Sequence, residues 1–511
     1  MFDELSGLAA AAQTGSGGEF EILAPFTGRA LASIPQWRGA EVERAAERAR
    51  RSQPAWAQAG VEQRCSVLSR FVHLLRSHRD QLLDVLQYET GKARIDALFE
   101  LGEAVLGAGY HLRSAPGLLA PRKHRGALPL LTKVRQLPQA KGTVAVIVPW
   151  NFPVALAVID AVPALLAGNA VLLKPDNQTA LSALLLQRLT AEAGLPPGLF
   201  QVVLGEPAQV GDPLLDAADY VAFTGSTASG RRIAASAGQR LIGCSLELGG
   251  KNPMIVLADA DLGRAARAVR RGSFANAGQL CMTAERLYVH NSVYDEFVDR
   301  VVDQVSAIRL GATFGFTADM GSLTTPAALA RTGDVLAEAC AAGATVLAGG
   351  GARPDLGPLF HEPTVVADVP LNARLHREEV FGPVVAIHPF EDIDEAVTLA
   401  NDSEYGLTAS VWTRDRRLGE QVAARIRSGG VGVNDCYTAA FGAHSAPMGG
   451  MKASGIGRRH GPDGLLRYTE SQTVAVQYGA GIDERLGLPR TWHARVVGAG
   501  LDVLARSRHG R

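Results

Sequence analysis

The sequence predicts an α/β protein built on parallel sheets, and three observations carry that expectation. Val144-Ala145-Val146-Ile147-Val148 is a short continuous apolar run, the pattern of a strand covered on both faces. Similar runs then alternate with helical periodicity, as right-handed crossover connections require. Phe223-Thr224-Gly225-Ser226-Thr227-Ala228-Ser229-Gly230 follows one such run and opens a helix, with Gly225 and Gly230 allowing a tight turn and close helix–strand packing.

Taken in order, residues 1–19 are small and polar and are expected to be ordered only by docking. A charged amphipathic helix is expected over 38–55, with Glu47 placed to pair with Arg51. A longer helical stretch covers 61–99. Pro116, Pro121 and Pro129 are expected to end helical structure, and a polar extended stretch runs to Pro138. Strands are expected at 144–148, 170–173, 200–204 and 220–223, with helices at 154–166 and at 181–193, the latter closed by Gly194. Beyond Lys251 the strand candidates are 254–257, 286–289, 344–347 and 384–389, with helices between, and 468–478 alternates as a last strand.

With 511 residues the chain has room for two or three domains. Lys+Arg and Asp+Glu each number 51, which removes any global electrostatic case for nucleic acid or a membrane surface. The apolar region 144–173 is interrupted by Pro149, Asn151, Pro153, Asp160, Pro163 and Asn169, whereas a membrane helix needs about 20 mostly apolar residues in a row. Met1-Phe2-Asp3-Glu4 places no basic segment before an apolar one, so no signal peptide is expected. The five cysteines form no CxxC pair and read as reduced thiols of a cytoplasmic protein. The twelve histidines form no metal motif, and no metal is expected.

Cys281, in Gly278-Gln279-Leu280-Cys281, sits on a turn that would expose a thiol nucleophile. Cys65, Cys244, Cys340 and Cys436 read as buried structural thiols. Glu247, in Leu246-Glu247-Leu248-Gly249-Gly250-Lys251, is a carboxylate beside a glycine pair, placed to act as a base. Asn151, in Pro149-Trp150-Asn151-Phe152-Pro153, either donates its amide to an oxyanion or caps the helix that follows. Lys174, at a strand end and locked by Pro175, is a candidate for a ribose or phosphate contact. A thiol-dependent oxidoreductase acting on an aldehyde accounts for this set.

These motifs, with Glu378-Glu379-Val380-Phe381-Gly382-Pro383, resemble the aldehyde dehydrogenase superfamily from about residue 20 to 478. Ser445-Ala446-Pro447-Met448-Gly449-Gly450-Met451 and Gly457-Arg458-Arg459-His460-Gly461-Pro462 look like its actinobacterial NADP-linked succinate-semialdehyde branch. The resemblance implies a Rossmann-like cofactor domain (1–118 and 141–249), an α/β catalytic domain (250–465), a small bridging oligomerisation sheet (119–140 and 466–480) and a C-terminal basic tail (481–511). It implies Cys281 as nucleophile, Glu247 as base for thiol and water, and Asn151 with the Cys281 amide as oxyanion donors. Trp150, Asn151, Lys174, Pro175, Asp176, Asn177, Gly225, Ser226, Leu248, Glu379 and Phe381 would face the cofactor: Lys174 the adenosine ribose, Ser226 a phosphate, Glu379 the nicotinamide ribose. The product would be a carboxylate formed through a thiohemiacetal and a thioester, by a homodimer or homotetramer.

Some positions depart from the family pattern. Asn177 stands where NAD-preferring members often have a carboxylate; with Lys174 beside it, NADP is the expected cofactor, with NAD possible. Arg459 stands where many members carry Glu on the water path. Ile159 and Ala275 stand where better-studied succinate-semialdehyde enzymes have carboxylate-binding arginines, so an apolar or aromatic aldehyde also fits a lining of Phe152, Ile159, Phe274 and Tyr437, with His444 and Ser445 near a polar tail. Succinate semialdehyde with NADP is the expected reaction. The alternatives are another aldehyde and transfer of the thioester to CoA, against which Glu247 argues by supplying a base for water. The intact Cys281, Glu247, Asn151 and Lys174 argue against a non-catalytic protein. The tail sets Arg485, Arg490, Arg495, Arg506, Arg508 and Arg511 against Asp483, Glu484 and Asp502, and reads as a helix that docks on a subunit rather than a membrane anchor.

Overall fold

A computed structural model of the chain describes residues 2–126, 131–478 and 487–508. Two compact units form. One comprises the described residues up to Leu118 together with Ala140–Thr469; the other comprises the described residues of Leu119–Gln139 and those from Glu470 onward.

The first unit contains two mainly parallel sheets. One has six strands in the order Gly455–Ile456, Gly243–Glu247, Tyr220–Thr224, Thr143–Ile147, Ala170–Lys174, Phe200–Val202. All neighbours are parallel except Gly455–Ile456, which lies antiparallel against Leu246 and Glu247. From Thr143–Ile147 the chain winds outward through Ala170–Lys174, then returns to the other side for Tyr220–Thr224. The carboxyl ends of Thr143–Ile147 and Tyr220–Thr224 therefore flank a topological switch point, where open α/β sheets leave a crevice for ligands. Ala170–Lys174 and Tyr220–Thr224 are buried at every residue, as continuous apolar runs between two helical layers should be.

The other sheet has seven strands in the order Thr345–Ala348, Thr364–Ala367, Val384–Phe390, Ala284–His290, Asn252–Val256, Thr408–Trp412, Gly430–Val433. Only the edge strand Thr345–Ala348 is antiparallel.

Several elements differ from expectation. The 61–99 stretch resolves into Val61–Ser77, Arg79–Thr90 and Arg94–Leu118. Gly91 closes the second of these at φ +75, its amide bonding the Gln87 carbonyl. Pro116 does not end the third. A proline there leaves the Leu112 carbonyl without its helical donor, and the Cys65 thiol donates to that oxygen at 3.8 Å. Pro129 lies outside the described residues. The 1–19 segment is partly helical: Phe2–Ala10 docks with Leu5 and Leu8 buried. The amphipathic helix spans Gly39–Gln58, but Glu47 and Arg51 both stay exposed and form no ion pair. Gly243–Glu247, Thr364–Ala367, Thr408–Trp412, Gly430–Val433 and the hairpin Glu19–Leu23 with Ala30–Pro35 are strands the pattern does not announce.

The second unit is a three-stranded sheet, Thr469–Gln477, Thr132–Ala140 and Arg122–Arg125, with Thr132–Ala140 in the centre, and a helix, Arg490–Arg508. Trp492, Val496, Leu501 and Val503 are exposed on that helix. Asp483, Glu484, Arg485 and Arg511 of the tail lie outside the described residues. Among the described residues no helix is long and apolar enough to cross a membrane.

Candidate active site

At the switch point a cavity of about 1190 Å³ opens, lined by Trp150, Asn151, Gly225, Ser226, Glu247, Leu248, Cys281, Glu379 and Phe381 among others. Residues distant in sequence thus meet at one place. Lys174, Pro175, Asp176 and Asn177 are not in this lining; they follow the adjacent strand along the same sheet edge.

Cys281 is delivered by a strained turn. The helix Leu262–Phe274 passes into Ala275–Gly278, where Asn276 and Ala277 hold φ of 52° and 55° and Gly278 holds 74°. Left-handed backbone at a non-glycine residue costs about 1 kcal/mol or more, so neighbouring contacts must impose it. They do: Asn276 Nδ2 donates to the carbonyls of Asn151 (3.2 Å) and Gln279 (3.1 Å), Gln279 Nε2 donates to the Asn276 carbonyl (2.9 Å), and the Thr324 amide donates to Gln279 Oε1 (2.9 Å). Gly278 is obligatory for a steric reason as well, since a Cβ there would stand 2.1 Å from the Gly382 carbonyl oxygen. Asn252 Nδ2 holds the Cys281 carbonyl at 2.8 Å.

Asn151 does not cap the following helix; the N-cap is Phe152. Its Nδ2 donates one hydrogen to the Gln279 carbonyl at 3.0 Å, leaving the second, and its buried Oδ1 has no partner. Glu247 ends its strand with Oε2 equally unpartnered. Burial pushes the Glu247 carboxyl up to about 7, against the nearby Arg459. Burial pushes the Cys281 thiol up to about 12, with the Glu379 and Glu247 carboxylates adding to it. Burial and the charge of Glu285 push Glu379 up to about 8, while the Gly250 amide bonds its Oε1 at 2.9 Å. Trp150 and Phe381 meet edge-to-face, ring centroids 5.6 Å apart, with Phe381 at φ 58°.

On the adjacent strand end, burial lowers Lys174 to about 8, and its Nζ donates to the Pro175 carbonyl. Asn177 is not clear of carboxylates as its neutrality suggests: its Nδ2 donates to Gln36 Oε1 (3.0 Å) and to Glu206 Oε1 (2.8 Å). Ser226 caps the helix Thr227–Gln239, accepting the Ser229 amide at 3.3 Å. Gly230 permits the close packing expected of it, since a Cβ would lie 2.5 Å from a Leu248 methyl. Phe152, Ile159, Tyr437 and His444 line the cavity, but Phe274 is packed in the core and Ser445 is exposed away from the lining. None of the other cysteines is fully buried, and Cys340 is exposed. The histidines do gather in space: Glu103, His444 and His460 present ligand atoms within 4.8 Å of one another, with His444 Nε2 2.9 Å from Glu103 Oε1.

Sequence reasoning passed over the residues that hold this site from behind. Lys92 is fully buried, pairs with Glu100, donates to the Asn151 carbonyl at 2.7 Å and lies 4.2 Å over the Phe152 ring. Glu100 accepts the Val154 and Ala155 amides at the start of the helix Pro153–Leu166. Glu285 pairs with Lys251 and accepts the amides of Val380 and Phe381. No local pattern marks a lysine or glutamate for burial, because its partner is tertiary. Replacing Lys92 by Met strands the Glu100 charge and is expected to cost about 3–5 kcal/mol. A thermal denaturation series should show that loss largely reversed in the Lys92→Met/Glu100→Gln double variant.

Comparison with known proteins gives the family. The model of the aldehyde dehydrogenase family matches residues 12–474. A Mycolicibacterium smegmatis protein provisionally named succinate-semialdehyde dehydrogenase [NADP(+)] is 50% identical over 466 residues, 91% of this chain and 90% of its own length. The Escherichia coli succinate-semialdehyde dehydrogenase [NADP(+)] is 34% identical over 90% of this chain and 95% of its own. Betaine aldehyde dehydrogenase of Staphylococcus aureus, solved in complex with NAD+, superposes with a TM-score of 0.89 at 30% identity, covering 94% of this chain and 97% of that one. With the family model, the relatives and the fold all matching over nearly its whole length, the chain belongs to the aldehyde dehydrogenase family.

Proposed function

We propose that the protein oxidises succinate semialdehyde to succinate with NADP, accepting NAD as well. The observation that carries the reaction type is one cavity holding the Cys281 thiol, the unpartnered Glu247 oxygen and the spare amide hydrogen of Asn151. The residues fit a nicotinamide dinucleotide: the cavity lies at the switch point beside a helix start, and Glu247 Oε2 and Asn151 Oδ1 are buried without partners. Lys174, Asn177, Ser226, Leu248, Glu379 and Phe381, with Trp150, would hold it. When bound, it supplies the hydride acceptor.

At neutral pH the thiol keeps its proton until Glu247, ionised above about 7, takes it. The thiolate then adds to the aldehyde carbon, and the free Asn151 amide hydrogen with the Cys281 amide steadies the oxyanion. Loss of hydride from that carbon leaves a thioester. Glu247 passes that first proton to solvent; water then adds to the thioester as Glu247 accepts its proton, the C–S bond breaks, Glu247 returns this proton to the sulfur, and the acid departs as a carboxylate, its own proton going to solvent. A retained base for water favours hydrolysis over transfer to CoA, and product analysis with CoA present checks this. Turnover is expected to fall as pH drops through about 7, where Glu247 protonates, and Glu247→Gln should remove that dependence together with most of the rate.

Two things support an acidic aldehyde: the names of the mycobacterial and E. coli relatives, and Arg271. Arg271 stands one helical turn before Ala275, lines the cavity and remains 44% exposed despite its 3.1 Å pair with Asp96. It offers a guanidinium where the family's arginine is absent. Arg271→Gln is expected to raise KM for succinate semialdehyde about tenfold, as loss of one charged hydrogen bond implies, while sparing a neutral aldehyde. The apolar lining at Phe99, Leu106, Phe152 and Ile159 supports a second reading, an aliphatic or aromatic aldehyde. A panel of succinate semialdehyde, other acidic aldehydes, aliphatic aldehydes and benzaldehyde with both cofactors separates the two.

Asn177 and Lys174 support NADP, whereas Glu206 adds a negative charge that supports retained NAD use. Glu206→Gln should therefore raise the NADP-to-NAD ratio of kcat/KM. Exposed Val474 and Val476 on Thr469–Gln477 support a homodimer or homotetramer built through that strand.

A further inference from the structure

Behind Glu247 lies a buried cluster with unequal charges. Asp160, on the helix Pro153–Leu166, accepts Arg459 Nε (3.2 Å) and Nη2 (2.7 Å), Arg467 Nη2, and the Tyr468 hydroxyl (3.2 Å). Two guanidiniums thus share one carboxylate, all three nearly sealed from solvent, with Asp160 1% and Arg459 2% exposed. One positive charge is left over. Arg459 directs it toward Glu247: both line the cavity, and Arg459 Nη2 donates at 2.8 Å to Thr224 Oγ1, whose residue is the cross-strand partner of Glu247. Met448 pairs with Arg459 in a short bridge, and the next residue, Gly449, lies so close that a Cβ there would be 3.0 Å from Glu247 Oε1.

We infer that Arg459, clamped by Asp160, is the counter-charge that keeps the Glu247 carboxylate ionised for attack by water, and so sets the pH below which thioester hydrolysis stalls. Arg459 is then a positioning residue. The other groups facing Glu247 fit this role. Arg467 and Arg458 add positive charge, Asp160 opposes it, and the Cys281 thiol is protonated at neutral pH. Burial raises the Tyr468 hydroxyl, lowers His111 to about 3 and lowers His460, on which Glu103 acts in the opposite sense. The Arg459 charge lowers Glu247 and the Asp160 charge raises it, so removing each should move the base in opposite directions.

The inference rests on Glu247 being the base, and one assay tests both without cofactor. Glu247 takes the Cys281 proton and passes it to solvent as the sulfur bonds the acetyl carbon of 4-nitrophenyl acetate and nitrophenolate leaves with the electron pair of the broken C–O bond; water then cleaves the thioester to thiol and acetate, releasing one proton to solvent. The burst reports acylation and the steady phase reports hydrolysis. Arg459→Gln should move the acid limb of the steady phase up by about one pH unit, the scale of a close charge. Asp160→Asn should move it down. The double variant, which retains Arg467 as the single surplus charge, should return near the parent, and Arg459→Lys should stay there. Shifts in one direction only, or lower amplitude with an unmoved limb, would overturn the inference and leave the cluster a merely structural one. If Arg459→Gln does not fold, Asp160→Asn and Arg459→Lys still decide. Glu247→Gln should abolish the limb; if the limb persists in that variant, the base assignment itself fails.

Discussion

Glu285 is 3% exposed, and its carboxylate receives the Lys251 ammonium and the amides of Val380 and Phe381. Those contacts tie together the segment after Glu247, the strand that follows Cys281 and the loop bearing Glu379 and Phe381. A carboxylate taken out of water is tolerable only where charge and hydrogen bonds replace its hydration, and here the replacements are the site's own backbone. The Gly278–Gly382 approach depends on the same anchoring. Two chains pass so closely there that no side chain fits, which holds only if the 378–383 loop has one position. Lys92 and Glu100 do the equivalent for Asn151.

This rigidity has an electrostatic consequence. Cys281, Glu247 and Glu379 all sit in an apolar, enclosed setting that disfavours their charged forms. Such a cavity strengthens any charge placed inside it, and it makes the surrounding arginines matter more than they would in water. Burial disfavours the thiolate, so in the proposed mechanism activation of Cys281 is coupled to a base poised near neutrality rather than to an intrinsically acidic sulfur.

The elements legible in the sequence are those whose burial is dense enough to leave a run of apolar residues. Ala170–Lys174 and Tyr220–Thr224 lie between two helical layers and announce themselves. Gly243–Glu247, Thr408–Trp412 and Gly430–Val433 do not, because glycine, serine and threonine dilute their apolar pattern while parallel neighbours supply the pairing. The breaks at His78 and Gly91 are local and were within reach, Gly91 by its left-handed backbone. Pro116 misleads for a tertiary reason, the thiol of another helix serving the carbonyl that proline leaves unbonded.

The site divides the same way. Cys281, Glu247, Asn151 and the glycines around them could be singled out from the chain alone, because the chemistry proposed for them and the backbone they require call for those residue types in those local settings. Lys92, Glu100, Glu285 and Asp160 were not, because each is defined by a partner across the fold and has no local signature. Nor could the chain disclose that Glu206 brings a carboxylate to Asn177, or that Arg459 is locked rather than free. The sequence alone determined the family and the kind of chemistry. Only the tertiary structure decided the charge state in which that chemistry begins, since burial and the distances between ionisable groups exist only once the chain has folded.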